Sequence, residues 1–304
     1  MKESGQAKTE ILPLLTRDLF FSQNVTYCHK SKNRFVTNGC ASTAISMIIA
    51  YKQYPQLTVD HEVLDYSLCG VEDGNGILYQ FLDDRIYLKL NDYFLNSGLF
   101  PAILTSDTLL DILTAVDRNV IKKRGIPAIS KGEDFYRTRY KLTSAVYYSL
   151  HNIIKSWDGT GVLPDAAVFG MKELGFSNVS RKSKTHLSDS LIQTIIDMLK
   201  ADKPVLMCGW TLTELGNSHY WVVDGLSHTS TRTLIHCVWG HGNSNIGWFS
   251  TDCIRDDAAS IVTKTSGKTN NEWRHLNVFS YDLKSSIPIK TINDFYDQHR
   301  IYIY

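Results

Sequence analysis

The chain has 304 residues, 43% of them hydrophobic and 21% charged, and a formal net charge of +1. That length suits one large domain or two lobes about a cleft, and the near-neutral balance argues against general electrostatic capture of nucleic acid or acidic membranes. No apolar run reaches the ~18 residues of a membrane span. The polar start MKESGQAKTE carries no export signal, and a trimmed chain would look the same, so the compartment stays open.

Residues 1–37 read as a mostly irregular lead-in, with ILPLL (Ile11–Leu15) as a short strand. A helix is predicted from Ala41 to Gln53, because Ala44, Ile45, Ile48, Ile49 and Lys52 trace one mostly apolar stripe and Pro55 stops further turns. Residues 56–160 mix helical patches such as DTLLDILTAVDRNVIKK with aromatic-rich EDFYRTRYKLTSAVYYSL and give no single reading. Further on, DAAVFGMKELGF reads as a helix ended near Gly175. SDSLIQTIIDMLKADKP reads as another, with Ser188 as its cap and Pro204 beyond its end. Five strand-like runs follow: PVLMCGW, HYWVVDGL, TRTLIHCVWG, IGWFSTDC and LNVFSYDLK. The short basic clusters Lys122–Arg124 and Arg181–Lys184 read as solvated faces. Helices early and neighbouring strands late imply an α+β fold, a helical lobe over about 1–160 facing an antiparallel sheet lobe over about 161–304.

Six cysteines, at positions 28, 40, 69, 208, 237 and 253, show no CxxC or zinc spacing, so no metal site is expected. Cys208 and Cys237 sit in strand-like runs and read as small buried hydrophobes. Cys40 differs. It heads the first predicted helix, where the macrodipole and free N–H groups favour a thiolate. Gly39 before it leaves room for a substrate backbone, and Ala41, Ser42, Thr43 and Ala44 keep the first turn slim. From these residues alone, packing, pairing and nucleophilic attack all remain open.

A thiolate nucleophile needs a base, normally histidine. Of ten histidines, His219 is the best placed, at the mouth of an apolar strand whose far end is marked by Asp224-Gly225. His236 alternates into TLIHCVW and reads as a hydrogen-bonded sheet residue. His241 follows Trp239-Gly240 in a loop able to line a site. The others lack distinctive context. An early cysteine on a helix and a later histidine on a strand is the chain order of papain-like Cys/His hydrolases.

Three blocks carry a closer resemblance. ILPLLTRDLFFSQNVTYC resembles PLLxTxWxQxxPYN, NGCASTAISMIIAYKQYP resembles GCVATAxAQIMKYxxYP, and NSHYWVVDGL…TLIHCVWGHGNSNIGWFS resembles GHAFVIDG…YHVNWGWGGxxDGFF. These are motifs of the streptopain family of bacterial papain-fold cysteine proteases, and the likeness spans about half the chain, roughly 11–55 and 163–252. It implies a single papain-like peptidase domain over 1–304, with Cys40 as nucleophile and His219 as general base. By the same likeness Gln23 supplies an oxyanion-binding amide, and the Trp239 indole shields the imidazole. Three departures bear on the site. Val238 stands where the family has asparagine. Ser218 and Tyr220 replace small residues beside the histidine, and His241 replaces a tryptophan, so these three are the candidates for altered substrate contact.

The implied activity is endopeptidase cleavage of proteins or peptides through a resting thiolate–imidazolium pair and a thioester, with no cofactor. The resemblance further implies an exported bacterial enzyme, made with a propeptide absent from this chain and preferring an apolar side chain two positions before the scissile bond. Two alternatives stand beside this reading. One is another Cys/His amide hydrolase, acting on leader peptides or peptidoglycan. The other is a papain-fold binding module, for which Val238 and the unassigned residues 56–160 speak.

Overall fold

The computed structural model describes residues 8–15, 21, 27–31, 34–37, 39–59, 62–69, 142, 143, 145, 146, 149, 161–210, 218–240, 246–251 and 275–291. The expected helical patch at 107–123 lies outside them. Of the aromatic-rich stretch that follows, Leu142, Ala145 and Val146 are described, and all three are buried.

The centre is a seven-stranded antiparallel sheet built from β6 (Ser177–Lys184), β7 (Val205–Trp210), β8 (Ser218–His228), β9 (Thr233–Val238), β10 (Gly247–Ser250) and β11 (Leu276–Asp282), in the order β10-β9-β8-β7-β11-β6. The seventh strand, β1 (Thr9–Ile11), comes from the N-terminal lead-in and pairs with the far end of β8. Val, Ile, Trp and Tyr fill β7 and β8, and eight consecutive residues, His219–Leu226, are buried. A strand reads as continuously apolar in this way when both of its faces are covered.

Helices cover the sheet. Adjacent β6 residues show this directly: Arg181 Nε donates to Asp165 on α2 (Pro164–Leu174), while Lys182 Nζ donates to Thr194 on α3 (Asp189–Lys200). Successive side chains of a strand point to opposite faces, so α2 and α3 lie on opposite sides of the sheet. Gly175 ends α2 with φ +113°, and its N–H and that of Phe176 close the last turn on Lys172 and Met171. Ser188 stands at the α3 N-cap, but its hydroxyl meets Ser190 rather than a backbone N–H.

The helix carrying Cys40, α1 (Gly39–Lys52), packs on β8 and β7. A one-sided stripe was expected, yet every residue from Ala41 to Ala50 is buried. A helix buried all round must also satisfy its polar side chains. Thr43 and Ser46 do so by donating to the carbonyls of Gly39 and Ser42, four residues back. Ile45, Ile48 and Ile49 are completely buried, each worth about 1.5–3 kcal/mol relative to exposure. At its far end Lys52 and Tyr51 both bond Asp202, fixing the helix to the turn before β7.

Several strands escaped the sequence reading. SNVSRKSK was read as carrying a solvated basic face, yet it forms β6, an edge strand whose only buried side chain is Val179. Charged edges of this kind resist pairing with other chains. The lead-in holds a hairpin, β2 (Tyr27–Ser31) with β3 (Arg34–Thr37). A small separate sheet joins β12 (Ile289–Thr291), β4 (Gln56–Val59) and β5 (Glu62–Val63).

Burial pushes the thiols of Cys208 and Cys237 and the phenols of Tyr66, Tyr220 and Tyr281 above their ordinary values. Groups raised in the folded state favour folding fully below their unfolded pKa, about 8.5 for thiols and about 10 for phenols, and lose that contribution as pH climbs through the folded values. The melting temperature is therefore expected to hold between about pH 6 and 8 and to fall steadily above about pH 9. Thermal melts across that range check it, and a flat profile to about pH 10.5 would contradict it.

Candidate active site

Cys40 sits in the first turn of α1, half-buried. Gly39 before it has φ +78°, a left-handed conformation that residues with a Cβ rarely adopt, so the glycine is needed for the turn itself. The main-chain N–H of Tyr220 bonds the Cys40 sulfur, and those of Ala41 and Cys40 lie near enough to favour its thiolate. Burial outweighs them and pushes the thiol above its ordinary range, so the isolated group holds its proton at neutral pH.

The Tyr220 contact joins the two elements. Tyr220 follows His219 at the start of β8, so the sulfur lies within hydrogen-bond reach of the residue next to the imidazole. His219 is 5% exposed, and its Nε2 lies 2.9 Å from the main-chain oxygen of Trp239. A carbonyl only accepts, so Nε2 carries the hydrogen, and the lone pair of the neutral ring falls on Nδ1. Val238 had left the imidazole without the asparagine of the resembling motif. The next residue's carbonyl takes that place, and Val238 itself is buried as the last residue of β9.

Aromatic rings enclose the imidazole. Trp239 stacks on His219 at 5.8 Å between centroids and 29° between planes, and Trp221 stacks at 6.3 Å and 12°. The two indoles touch each other at 4.8 Å, and Phe249 closes on Trp239 edge-on at 5.3 Å. Both indoles are completely buried, so water is excluded from that side of the ring. The turn after Trp239 presses on α1. Gly240 has φ +76°, and a Cβ there would stand 3.1 Å from Thr43 Cγ2. The chain that holds His219 thus abuts the first turns of α1.

The remaining expected site residues fall as follows. Ser218 opens β8, half-buried and paired with Trp210. The Tyr220 side chain is fully buried, its hydroxyl donating to the Val162 carbonyl, so it meets Cys40 through its backbone. Gln23 and His241 lie outside the described residues. Three contributors escaped sequence reading: Trp221, the Trp239 carbonyl and the Tyr220 N–H. Only Trp221 left a signal, since alternation along HYWVV puts it on the face of His219. Among the described residues no cluster of three or more His, Cys, Asp or Glu side chains could hold a metal ion.

The fold is similar to that of a solved protease. Active wild-type interpain A cysteine protease of Prevotella intermedia superposes with a TM-score of 0.50 at 14% identity, covering 89% of this chain and 94% of that one. The chain shares its fold. A prointerpain A fragment from the same organism gives a TM-score of 0.46 at 13% identity, over 89% of this chain and 71% of that one. No protein-family model matches the sequence, and no curated protein does. The interpain likeness establishes the expected α+β, papain-like architecture, with helices packed on a large antiparallel sheet. Within that architecture α1 carries Cys40 and the first residues of β8 carry His219, two elements remote in sequence and joined at the Tyr220 N–H.

Proposed function

We propose that the protein is a cysteine endopeptidase in which Cys40 is the nucleophile and His219 the general base. The observation that carries this reading is the Tyr220 N–H bonded to the Cys40 sulfur while the adjacent His219 is held by Nε2 on the Trp239 carbonyl. A desolvated thiol is a reluctant acid, so His219 Nδ1 takes its proton as the sulfur attacks a peptide carbonyl. The carbonyl oxygen then carries the charge, met by the Cys40 N–H and, by the family resemblance, by the Gln23 amide. The C–N bond breaks as His219 returns the proton to the leaving amine. Water, activated by the same imidazole, hydrolyses the thioester and restores the thiol. Protein or peptide substrates, an exported bacterial setting, a propeptide and a preference for an apolar side chain two positions before the cleaved bond belong to this proposal through the resemblance.

The test is labelling with a peptide vinyl sulfone, together with digestion of casein and of peptidoglycan fragments. Modification confined to Cys40, with casein cleaved and peptidoglycan untouched, is the expected result. Cys69 is fully buried and serves as the internal reference. Equal reactivity of Cys40 and Cys69 would remove the enzyme reading, and cleavage of peptidoglycan alone would change the substrate class.

A further inference from the structure

Successive residues of a strand point to opposite faces, so His219 and Tyr220 leave β8 on opposite sides of the sheet. The imidazole stacks with Trp221 and Trp239 on one side. The phenol takes the other, the side of α2, where its hydroxyl donates at 3.0 Å to the carbonyl of Val162, two residues before that helix. There Tyr220 stands beside Cys208 in the β7–β8 ladder, and its ring centroid lies 6.2 Å from that of Phe279 on β11. Val162, Cys208 and Phe279 are all buried, so the ring is fixed at its tip and along its flanks.

The same residue reaches the nucleophile through its backbone. Its N–H bonds the Cys40 sulfur, and the ring branches from the carbon next to that nitrogen. The resembling motif GHAFVIDG has alanine at this place, which would leave the volume of the phenol unfilled beside the sulfur. At the strand ends on this face stand two half-buried rings, Trp210 of β7 and His275 just before β11, stacked at 5.6 Å. They wall the mouth, and Tyr220 fills the depth. A close-packed interior admits no extra side chain without displacing what is there. The fully buried ring therefore acts by exclusion rather than by contact.

We infer that Tyr220 is a specificity-determining residue: its ring fills the space beside the Cys40 sulfur on the α2 face, so the site takes peptides with a small apolar side chain, alanine or valine, two positions before the cleaved bond and rejects leucine and phenylalanine there. This rests on the endopeptidase reading and on the apolar preference stated with it under the proposed function, and narrows that preference by size.

Fluorogenic peptides that differ only at that position test it. Wild type is expected to turn over the alanine peptide with a kcat/KM at least about tenfold above the phenylalanine peptide, the lower end of what a hydrophobic pocket gives for a mismatch in size. Tyr220→Ala opens the space, so the phenylalanine-to-alanine ratio rises at least about tenfold. A merely structural defect lowers both substrates together and leaves the ratio where it was. Tyr220→Phe keeps the ring and, with it, the wild-type ratio. Should Tyr220→Ala fail to fold, Tyr220→Val keeps a strand-forming residue, opens part of the space and reads the same ratio. Wild-type preference for leucine or phenylalanine overturns the assignment, as does an unchanged ratio in the folded variant. Vinyl sulfones carrying alanine or phenylalanine at the same position separate this inference from the reading beneath it. Faster modification of Cys40 by the alanine reagent is expected. Modification by neither removes the peptidase reading and the inference with it, whereas equal modification by both removes the size filter alone.

Discussion

Replacing Cys40 with alanine is expected to lower kcat/KM for peptide hydrolysis by at least about 10³-fold while leaving the fold in place. The loss is chemical because the residue contributes little else. Cys40 is only half-buried, whereas the neighbours that build the α1 core, Ile45, Ile48 and Ile49, are completely buried. Removing the sulfur takes away one partly buried contact with the core and leaves the isoleucine face of α1 in place. It also leaves the main-chain N–H groups of Tyr220, Ala41 and residue 40, which now favour the thiolate, where a substrate or water can meet them. Binding should survive, so KM is expected to stay within a few-fold and the whole effect to fall on kcat. Steady-state kinetics with a fluorogenic peptide, beside thermal melts of both proteins, make the check. Retention of more than a tenth of the wild-type turnover would mean that Cys40 forms no bond to the substrate.

Much of this site was legible before any coordinates. Small residues around Cys40, an apolar helix behind it, and a histidine at the mouth of an apolar strand each follow from local pattern. The positive φ of Gly39 adds a conformational reason for the glycine that the sequence had suggested on grounds of space. What escaped reading is what backbone atoms do. Every residue carries a carbonyl and nearly every one an N–H, so nothing marks the Trp239 oxygen or the Tyr220 N–H as functional until the fold selects them. Val238 illustrates the consequence. Standing where the resembling motif has asparagine, it spoke for a binding module, yet the imidazole is held by the carbonyl one residue later. Tyr220 gave the opposite error of emphasis: a large residue beside the histidine suggested a substrate contact, but its ring lies in the core. The β6 strand was missed because an edge strand needs only one inward side chain, too few to register as periodicity.

His219→Gln is expected to reduce turnover by about 10²–10⁴-fold, the range for loss of a positioned general base. Glutamine is the informative choice. Its amide N–H can still donate to the Trp239 carbonyl and occupy the place beside the two indoles, so the architecture survives without a group that accepts a proton. The consequence for the thiol follows from the sign of its shift. Burial raises the Cys40 pKa despite three N–H donors, so without the imidazole the sulfur stays protonated at neutral pH. Each unit by which the pKa exceeds the pH lowers the thiolate fraction tenfold. Iodoacetamide alkylation of Cys40 in the variant should therefore be slow at about pH 7 and rise about tenfold per pH unit, levelling only beyond the ordinary thiol value of about 8.5. The wild type should already alkylate quickly at about pH 7, with a plateau set by its imidazole. If the helix start and the Tyr220 N–H sufficed to hold a thiolate, the variant would keep its neutral-pH reactivity and lose only peptide turnover. Rapid alkylation of His219→Gln at neutral pH would thus overturn the coupling between base and sulfur, and with it the account of how a buried thiol becomes a nucleophile here.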